Sequence, residues 1–225
     1  MNTGNILRIL FLYTTLTGIA AAELTNPPET TVDGLHRVTD TEMAYVYAKP
    51  AVDLAVYNRI LLLEPHVAFT KNWLGTQNSI PNQLVRPQDM ERIKSDLADL
   101  FMEVFKLELQ NNGGYVLVDG VADDVLMVRP AIIDLNVIAP DTPGTRGTRS
   151  AITSAGSMTL YMELMDSVTG DMLVKAMDFK FDRSRTRIQA SNRVRNEGAA
   201  RDILGHWAEL LRMGLDEART VVSTH

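Results

Sequence analysis

Residues 158–181, MTLYMELMDSVTGDMLVKAMDFKF, contain the pattern that decides the fold class. Apolar side chains recur at every second position in the first half, at Met158, Leu160, Met162 and Leu164. They recur with the same period in the second half, at Leu173, Met177, Phe179 and Phe181. A period of two indicates β-strands, and the connection Asp166–Asp171 carries Gly170 where a turn needs positive φ. The stretch predicts an antiparallel hairpin.

Helical periodicity appears on both sides of the hairpin. From Gln88 to Gln110 apolar residues recur at spacings of three and four, Pro87 stands at the first helical position, and NNGG follows the last turn. A second stripe of apolar residues runs from Gly198 to Val221. Both segments are predicted to be amphipathic helices that pack on one face of a sheet.

Shorter apolar runs predict the remaining strands, at 45–47, 60–63 with 67–69, 115–118 and 125–137. Pro130 lies inside the longest run, and because proline has no N–H to donate, this strand is expected at an edge or a bulge. The fold class is therefore α+β, with two layers: a mostly antiparallel sheet of about five strands, and the two long helices on one face.

The N-terminus has the form of a signal peptide. Arg8 precedes an apolar run from Ile9 to Ala20, and small residues stand before Glu23, so cleavage is expected after Ala22. The alternative, a transmembrane anchor, would need an apolar run of about 20 residues. The domain prediction is a signal peptide at 1–22, a flexible leader at 23–44 and a single α+β domain at 45–222.

Composition excludes several classes of site. The chain has no cysteine, which removes disulfides, thiolate metal sites, cysteine nucleophiles and a lipid-bearing cysteine after the predicted cleavage site. The formal net charge is −6, which disfavours nucleic acid as a partner. Four histidines, at 36, 66, 206 and 225, lack zinc-ligand spacing. No metal and no cofactor are predicted.

One segment has a charge opposite to that of the whole chain. Five arginines fall between residues 183 and 195, namely Arg183, Arg185, Arg187, Arg193 and Arg195. Guanidinium groups bind carboxylates and phosphates, so this segment is a candidate binding site for lipid headgroups, an anionic envelope polymer or an acidic protein. The alternative is a solvated connection whose arginines pair with nearby acids.

Carboxylates supply the only candidate catalytic groups. Asp119, Asp123 and Asp124 lie between two predicted strands, and Asp166 and Asp171 bracket the hairpin turn. Together with Asp178, some of them can converge for acid–base chemistry, although turns also favour Asp for local reasons. No Gly-x-Ser-x-Gly elbow and no phosphate-binding glycine loop are present. No catalytic set is assigned.

Several motifs in order resemble the DUF3313 proteins, a group of exported bacterial proteins that often carry a lipid anchor. They are Tyr47-Ala48-Lys49-Pro50, Val67-Ala68-Phe69 followed by Lys71 and Trp73, Gly114-Tyr115, the Asp166–Asp171 turn, and Trp207-Ala208-Glu209-Leu210-Leu211. The resemblance implies an envelope location and a shared fold, and it implies no reaction. This chain departs from the pattern where it has Ala-Ala-Ala-Glu in place of a lipobox cysteine.

Two classes of function follow from these observations. The first is a non-catalytic envelope accessory or binding protein, periplasmic, with an envelope protein or an anionic polymer as partner. The second is a hydrolase-type enzyme with converging carboxylates. A secreted or surface-associated factor, or association with the outer membrane, remains an alternative, and no transmembrane span is expected in the mature chain.

Overall fold

The computed structural model describes residues 27–81, 83–137, 156–181 and 193–222. Its strands are β1 (His36–Val38), β2 (Tyr45–Ala48), β3 (Arg59–Leu62), β4 (His66–Phe69), β5 (Val116–Leu117), β6 (Val125–Asn136), β7 (Ser157–Asp166) and β8 (Met172–Phe181). Its helices are α1 (Trp73–Asn78), α2 (Pro87–Leu107) and α3 (Arg193–Val222), and a π-helical turn, Glu108–Asn112, continues α2. The predicted α+β class is confirmed.

The strands form one mixed sheet in the order β1-β2-β8-β7-β6-β3-β5, with β4 pairing to β6 beyond β3. The sheet has eight strands rather than about five. The pairs around the β7–β8 hairpin are antiparallel, whereas β3, β4 and β5 make parallel pairs. The apolar runs at 60–63 and 67–69 form two separate strands, β3 and β4, and β1, which is three residues long, is the strand that the sequence analysis did not predict.

The sequence predicted an edge strand or a bulge at Pro130. β6 is not an edge strand, because it has neighbours on both sides. Val128 accepts a hydrogen bond from the N–H of Leu63, on the β3 side. Alternate residues of a strand direct their backbone groups to the same side, so the missing N–H of Pro130 faces the break between β3 and β4. A central strand therefore tolerates this proline without losing a ladder hydrogen bond.

Both long helices cover the same face of the sheet. The core consists of alternate residues of β6 and β7, including Val128, Ile132 and Leu160, packed with side chains of α2 and α3. Helix α2 starts at Pro87, where Asp89 Oδ2 accepts the N–H of Arg86 at 3.0 Å. Among the described residues, no helix combines the length and apolar composition needed to cross a membrane.

Part of the segment predicted as a flexible leader joins the sheet. β1 lies inside residues 23–44 and pairs with β2, which makes it an edge strand of the sheet. Leu35, just before β1, is 1% exposed. The sequence did not predict this strand, because residues 27–44 are mostly polar, small or proline. The predicted signal peptide lies outside the described residues.

Candidate functional site

Asp178 lies apart from the other candidate carboxylates. Asp178 lies opposite Leu160 in the β7–β8 register, six residues along β7 from Asp166. At about 3.3 Å per residue, this separates the two carboxyl groups by roughly 20 Å. Asp119 and Asp123 are exposed in the loop before β6. Asp178 therefore cannot act together with the acids at the other end of the sheet.

Each of the more buried carboxylates has structural partners. Asp178 accepts the indole N–H of Trp207 at 2.8 Å and the backbone N–H of Ala44 at 3.2 Å. Asp124 forms an ion pair with Arg59, and that hydrogen bond lowers the pKa of Asp124. These contacts fix the ends of strands and the position of α3, which are structural roles.

Asp166 organises the hairpin turn. Its Oδ1 accepts the N–H groups of Val168 and Thr169 at 2.9 and 2.7 Å, and its Oδ2 accepts the hydroxyl of Tyr57 at 2.8 Å. The backbone hydrogen bond from Thr169, followed by the Tyr57 hydroxyl, lowers the pKa of Asp166. Burial, reinforced by the bond to Asp166, raises the pKa of Tyr57 to about 12. Both shifts indicate a carboxylate that accepts hydrogen bonds in a folded turn.

This turn predicts a component of acid sensitivity. Because folding lowers the pKa of Asp166, its stabilising effect is present above the ordinary value of 3.8 and is lost as the pH falls through the lowered value. We expect Asp166→Asn to show a smaller loss of unfolding free energy than the wild type as the pH falls below about 4. Urea unfolding at pH 7 and at steps between about pH 5 and 2 measures this.

Tyr57→Phe is the matched variant for that experiment. It removes the hydroxyl donor and leaves the N–H donors of Val168 and Thr169, so most of the acid sensitivity should remain. Wild-type and Asp166→Asn curves that stay parallel through the acid range would contradict this account of the turn.

The predicted arginine site falls largely outside the described residues. Arg183, Arg185 and Arg187 belong to the segment 182–192, which the structure does not describe. Arg193 and Arg195 lie in the first turn of α3, and their side chains are also outside the description. The strand that leads into this segment is β8, and its last residues are part of the outer face of the sheet.

The outer face, opposite the helices, combines a charged ladder with exposed aromatic rings. Cross-strand partners share a face, so Glu163 and Lys175 face outward together, as do the pairs Thr159–Phe179 and Ser157–Phe181. Glu163 is buried although it lies on this face. Arg129 Nε donates to its Oε2 at 2.7 Å, and the Tyr161 hydroxyl donates to its Oε1 at 2.9 Å.

The aromatic part of the outer face lies at the end of β8, just before the five arginines in sequence. Phe179 and Phe181 are 52% and 42% exposed, and their ring centroids are 6.1 Å apart. The charged ladder lies farther along the same strands, where Lys175 pairs with Asp33 of the N-terminal segment. Phe179 and Phe181 thus form an exposed aromatic pair at the end of β8, at the point where the chain enters residues 182–192.

A groove of about 450 Å³ opens elsewhere, between β4, α1 and the start of α2. Phe69 and Trp73 stack in its wall with ring centroids 4.1 Å apart, and the Trp73 indole donates to the carbonyl of Val137 at 3.0 Å. The ionisable side chains that line the groove are His66, Lys71 and Lys94. None of the lining residues is a carboxylate. In the described part of the chain, no group of three or more His, Asp or Glu side chains is placed to hold a metal ion.

Comparison with protein families identifies the chain. The model of the family described as "Protein of unknown function (DUF3313)" matches residues 30–211, which is more than half of the sequence. The chain belongs to the DUF3313 family. A search of curated proteins found no match.

Solved structures with a distant similarity to this DUF3313 chain include three bacterial proteins. The PelC dodecamer from Paraburkholderia phytofirmans has 11% sequence identity, with 74% of this chain and 96% of that chain covered, and a TM-score of 0.37. Protein XCC0632 from Xanthomonas campestris has 10% identity, coverage of 79% and 94%, and a TM-score of 0.39. A neuraminyllactose-binding hemagglutinin homolog from Helicobacter pylori has 13% identity, coverage of 75% and 90%, and a TM-score of 0.38. Similarity at this level carries no argument about function.

The groove of the DUF3313 chain is a feature that the sequence did not mark as a site. The segment from Val67 to Trp73, quoted above as one of the DUF3313-like motifs, contributes seven consecutive lining residues. The sequence could have indicated a binding surface here, because the aromatic residues Phe69 and Trp73 alternate with the basic residue Lys71. The contribution of Met90 and Lys94 was not visible, since α2 reaches this segment only in the folded chain.

Proposed function

We propose that this DUF3313 protein is a non-catalytic binding module of the bacterial envelope that contacts an anionic envelope polymer through its arginine segment. The arginine segment is residues 183–195, with Arg183, Arg185, Arg187, Arg193 and Arg195. The observation that carries the proposal is the exposure of Phe179 and Phe181 on the last strand, immediately before these arginines in the chain.

Apolar rings beside guanidinium groups are a common composition of binding surfaces. Exposed aromatic patches gain free energy when a partner covers them, and arginine forms paired hydrogen bonds with carboxylates and phosphates. The formal net charge of the chain is −6, so attraction to a polyanion has to come from a local cluster of positive charge. Residues 183–195 contain five of the 22 lysines and arginines.

The absence of an assembled catalytic group in the described residues supports a binding role. Asp124, Asp166 and Asp178 each hold structural partners, and Asp178 lies roughly 20 Å from Asp166 along the sheet. An acid–base pair needs two groups that face one substrate. Binding requires no such convergence.

Export is the second part of the proposal. Its support is the sequence before Glu23, in which Arg8 is followed by an apolar run and by small residues at Ala20 and Ala22. Protein isolated from the envelope fraction is expected to begin at Glu23, as read by mass spectrometry. An N-terminus at Met1 in that fraction would contradict the export mechanism.

Binding to a soluble polyuronate at low ionic strength tests the arginine segment. Replacing all five arginines with glutamine is expected to weaken binding at least about fivefold, because each exposed ion pair contributes roughly 0.2–1 kcal/mol. Binding by the unmodified protein should also fall as salt is raised from about 0.05 to 0.3 M. Isothermal titration calorimetry or retention on the immobilised polymer measures both effects.

Two double variants provide a matched comparison of charge. Arg185→Gln with Arg187→Gln removes two positive charges inside the segment, and Arg37→Gln with Lys106→Gln removes two outside it. Only the first pair should weaken binding appreciably. Equal effects of the two pairs would indicate a general charge effect and contradict a specific segment. Vesicles that contain phosphatidylglycerol serve as a parallel probe, and binding to vesicles alone would replace the polymer by a lipid surface.

A further inference from the structure

The groove between β4, α1 and α2 has the chemistry of a second binding site. Its apolar lining includes Phe69, Leu74 and Met90, while Lys71 and Lys94 supply positive charge. A volume of about 450 Å³ lies within the range, roughly 300–1,000 Å³, of clefts that hold small molecules. Neither the family match nor the arginine segment involves this groove as a ligand site.

We propose that the groove binds a small amphipathic anion, with its apolar part against Phe69, Leu74 and Met90 and its anionic group at Lys71 and Lys94. We infer an anionic ligand from the charge of the lining residues. The ionisable lining residues are two lysines and a histidine, and none is acidic, in a chain whose formal net charge is −6. An anion therefore meets local attraction at the groove, although the chain as a whole is negatively charged.

The two lysines differ in their availability. Lys94 Nζ is 2.8 Å from Glu91 Oε1, one turn earlier on α2, in an exposed pair. Lys71 is exposed and forms no ion pair with the described residues. Since exposed ion pairs are weak, a carboxylate or a sulfate on a ligand can compete with Glu91 for Lys94. Glu91 therefore competes with the anionic group of a ligand for Lys94.

The stacked aromatic pair gives the groove a rigid wall. Trp73 is almost fully buried and is held by its hydrogen bond to Val137, and Phe69 stacks on it from β4. A fixed apolar wall lowers the conformational cost of binding, because these side chains are already ordered before the ligand arrives.

Octanoate and octanol form the matched pair of probes, because they share an apolar tail and differ in charge. The chain has two tryptophans, so proton–nitrogen NMR shows two indole N–H signals, which Trp73→Phe assigns. Octanoate is expected to shift the Trp73 signal in a saturable way and to bind at least about threefold more tightly than octanol. The Trp207 signal, from the core between α3 and β8, should stay in place.

Substitutions at the rim of the groove distinguish binding at a specific site from a general effect of the charge of the protein. Lys71→Ala and Lys94→Ala are each expected to weaken octanoate binding about 3- to 5-fold and to leave octanol binding unchanged. Lys106→Ala, an exposed lysine of α2 outside the groove, is the control and should change neither. Glu91→Gln should strengthen octanoate binding about twofold, because it releases Lys94 and removes a negative charge from the rim.

Three results would overturn the proposal. They are octanol binding as tightly as octanoate, equal effects of Lys106→Ala and Lys71→Ala, and a shift of both indole signals together. Apart from Trp73→Phe, which serves only to assign a signal, the substituted residues are surface lysines and a glutamate, and unchanged thermal unfolding of each of these variants confirms that the fold is intact. The arginine segment is unaltered in these variants, so their outcome is separate from that of the polymer-binding experiment.

Discussion

Replacing Trp207 with alanine is expected to lower the free energy of unfolding by about 3–5 kcal/mol. The Trp207 side chain is 0% exposed and lies where α3 packs against the sheet. Its removal leaves a large cavity and takes away the donor that Asp178 Oδ2 accepts at 2.8 Å. Asp178 Oδ2 then loses its buried donor and keeps the ion pair with Lys180 Nζ at 3.0 Å, and the lost hydrogen bond adds a further cost. Urea unfolding of the wild type and the variant measures the difference.

Trp207→Phe separates the two contributions. Phenylalanine keeps much of the apolar volume and removes the indole N–H, so the expected loss is smaller, about 1–3 kcal/mol. Met213→Ala is the control on the same helix, because Met213 is exposed and its truncation should change stability by less than about 0.5 kcal/mol. A loss below about 1 kcal/mol for Trp207→Ala would show that α3 is not anchored at this point.

Phe101→Ala is expected to cost about 3–5 kcal/mol as well, for a different reason. Phe101 and Phe105 are both 0% exposed and stack with ring centroids 3.8 Å apart, on the side of α2 that packs in the core. Truncation leaves a cavity with an apolar lining, and the surrounding side chains lose their van der Waals contacts with the ring. Equilibrium unfolding in urea measures the loss, and Leu107→Ala, at an exposed position near the end of α2, should be nearly neutral.

A double-mutant cycle tests the ring contact itself. If Phe101 and Phe105 interact as a stacked pair, the two alanine substitutions should be non-additive by about 0.5–1.5 kcal/mol. Additive losses would mean that each ring contributes through burial alone. Because both residues lie on one helix, the cycle reports packing within α2 as well as packing on the sheet.

The hairpin and the long helices were predictable because their signals are local. β7 and β8 alternate apolar side chains with period two, and α2 repeats them with period 3.6 over 21 residues. The turn at Gly170, with φ of 73°, matches the expectation of a positive φ. In each case the residues that generate the pattern are neighbours in sequence, so no tertiary contact is needed to read it.

The local sequence pattern did not predict which face of β8 is buried. Its alternate apolar residues Met177, Phe179 and Phe181 lie on the outer face, while Ala176 and Asp178 face the helices. Alternation identifies a strand, but it does not say which face is buried when both faces carry apolar residues. The pairing Thr159–Phe179 fixes the answer, and that pairing depends on the register of the folded sheet.

The groove and the separation of the carboxylates also depend on tertiary structure. Met90 and Lys94 join the Val67–Trp73 segment only because the start of α2 lies beside β4, and Asp166 and Asp178 are separated because they occupy opposite ends of one hairpin. The arginine segment remains a prediction from sequence, because its side chains lie outside the described residues.

For this protein, the sequence by itself determined the α+β class, the two helices, the hairpin and the DUF3313 family, because periodicity and ordered motifs are properties of neighbouring residues. Tertiary structure alone decided that β6 is central, that the sheet has eight strands, and that Phe179 and Phe181 face outward. These features depend on which strands pair and in what register. Pairing depends on contacts between residues far apart in the chain. Where local patterns allow more than one register, the register that buries the most apolar surface in the whole fold is the most stable.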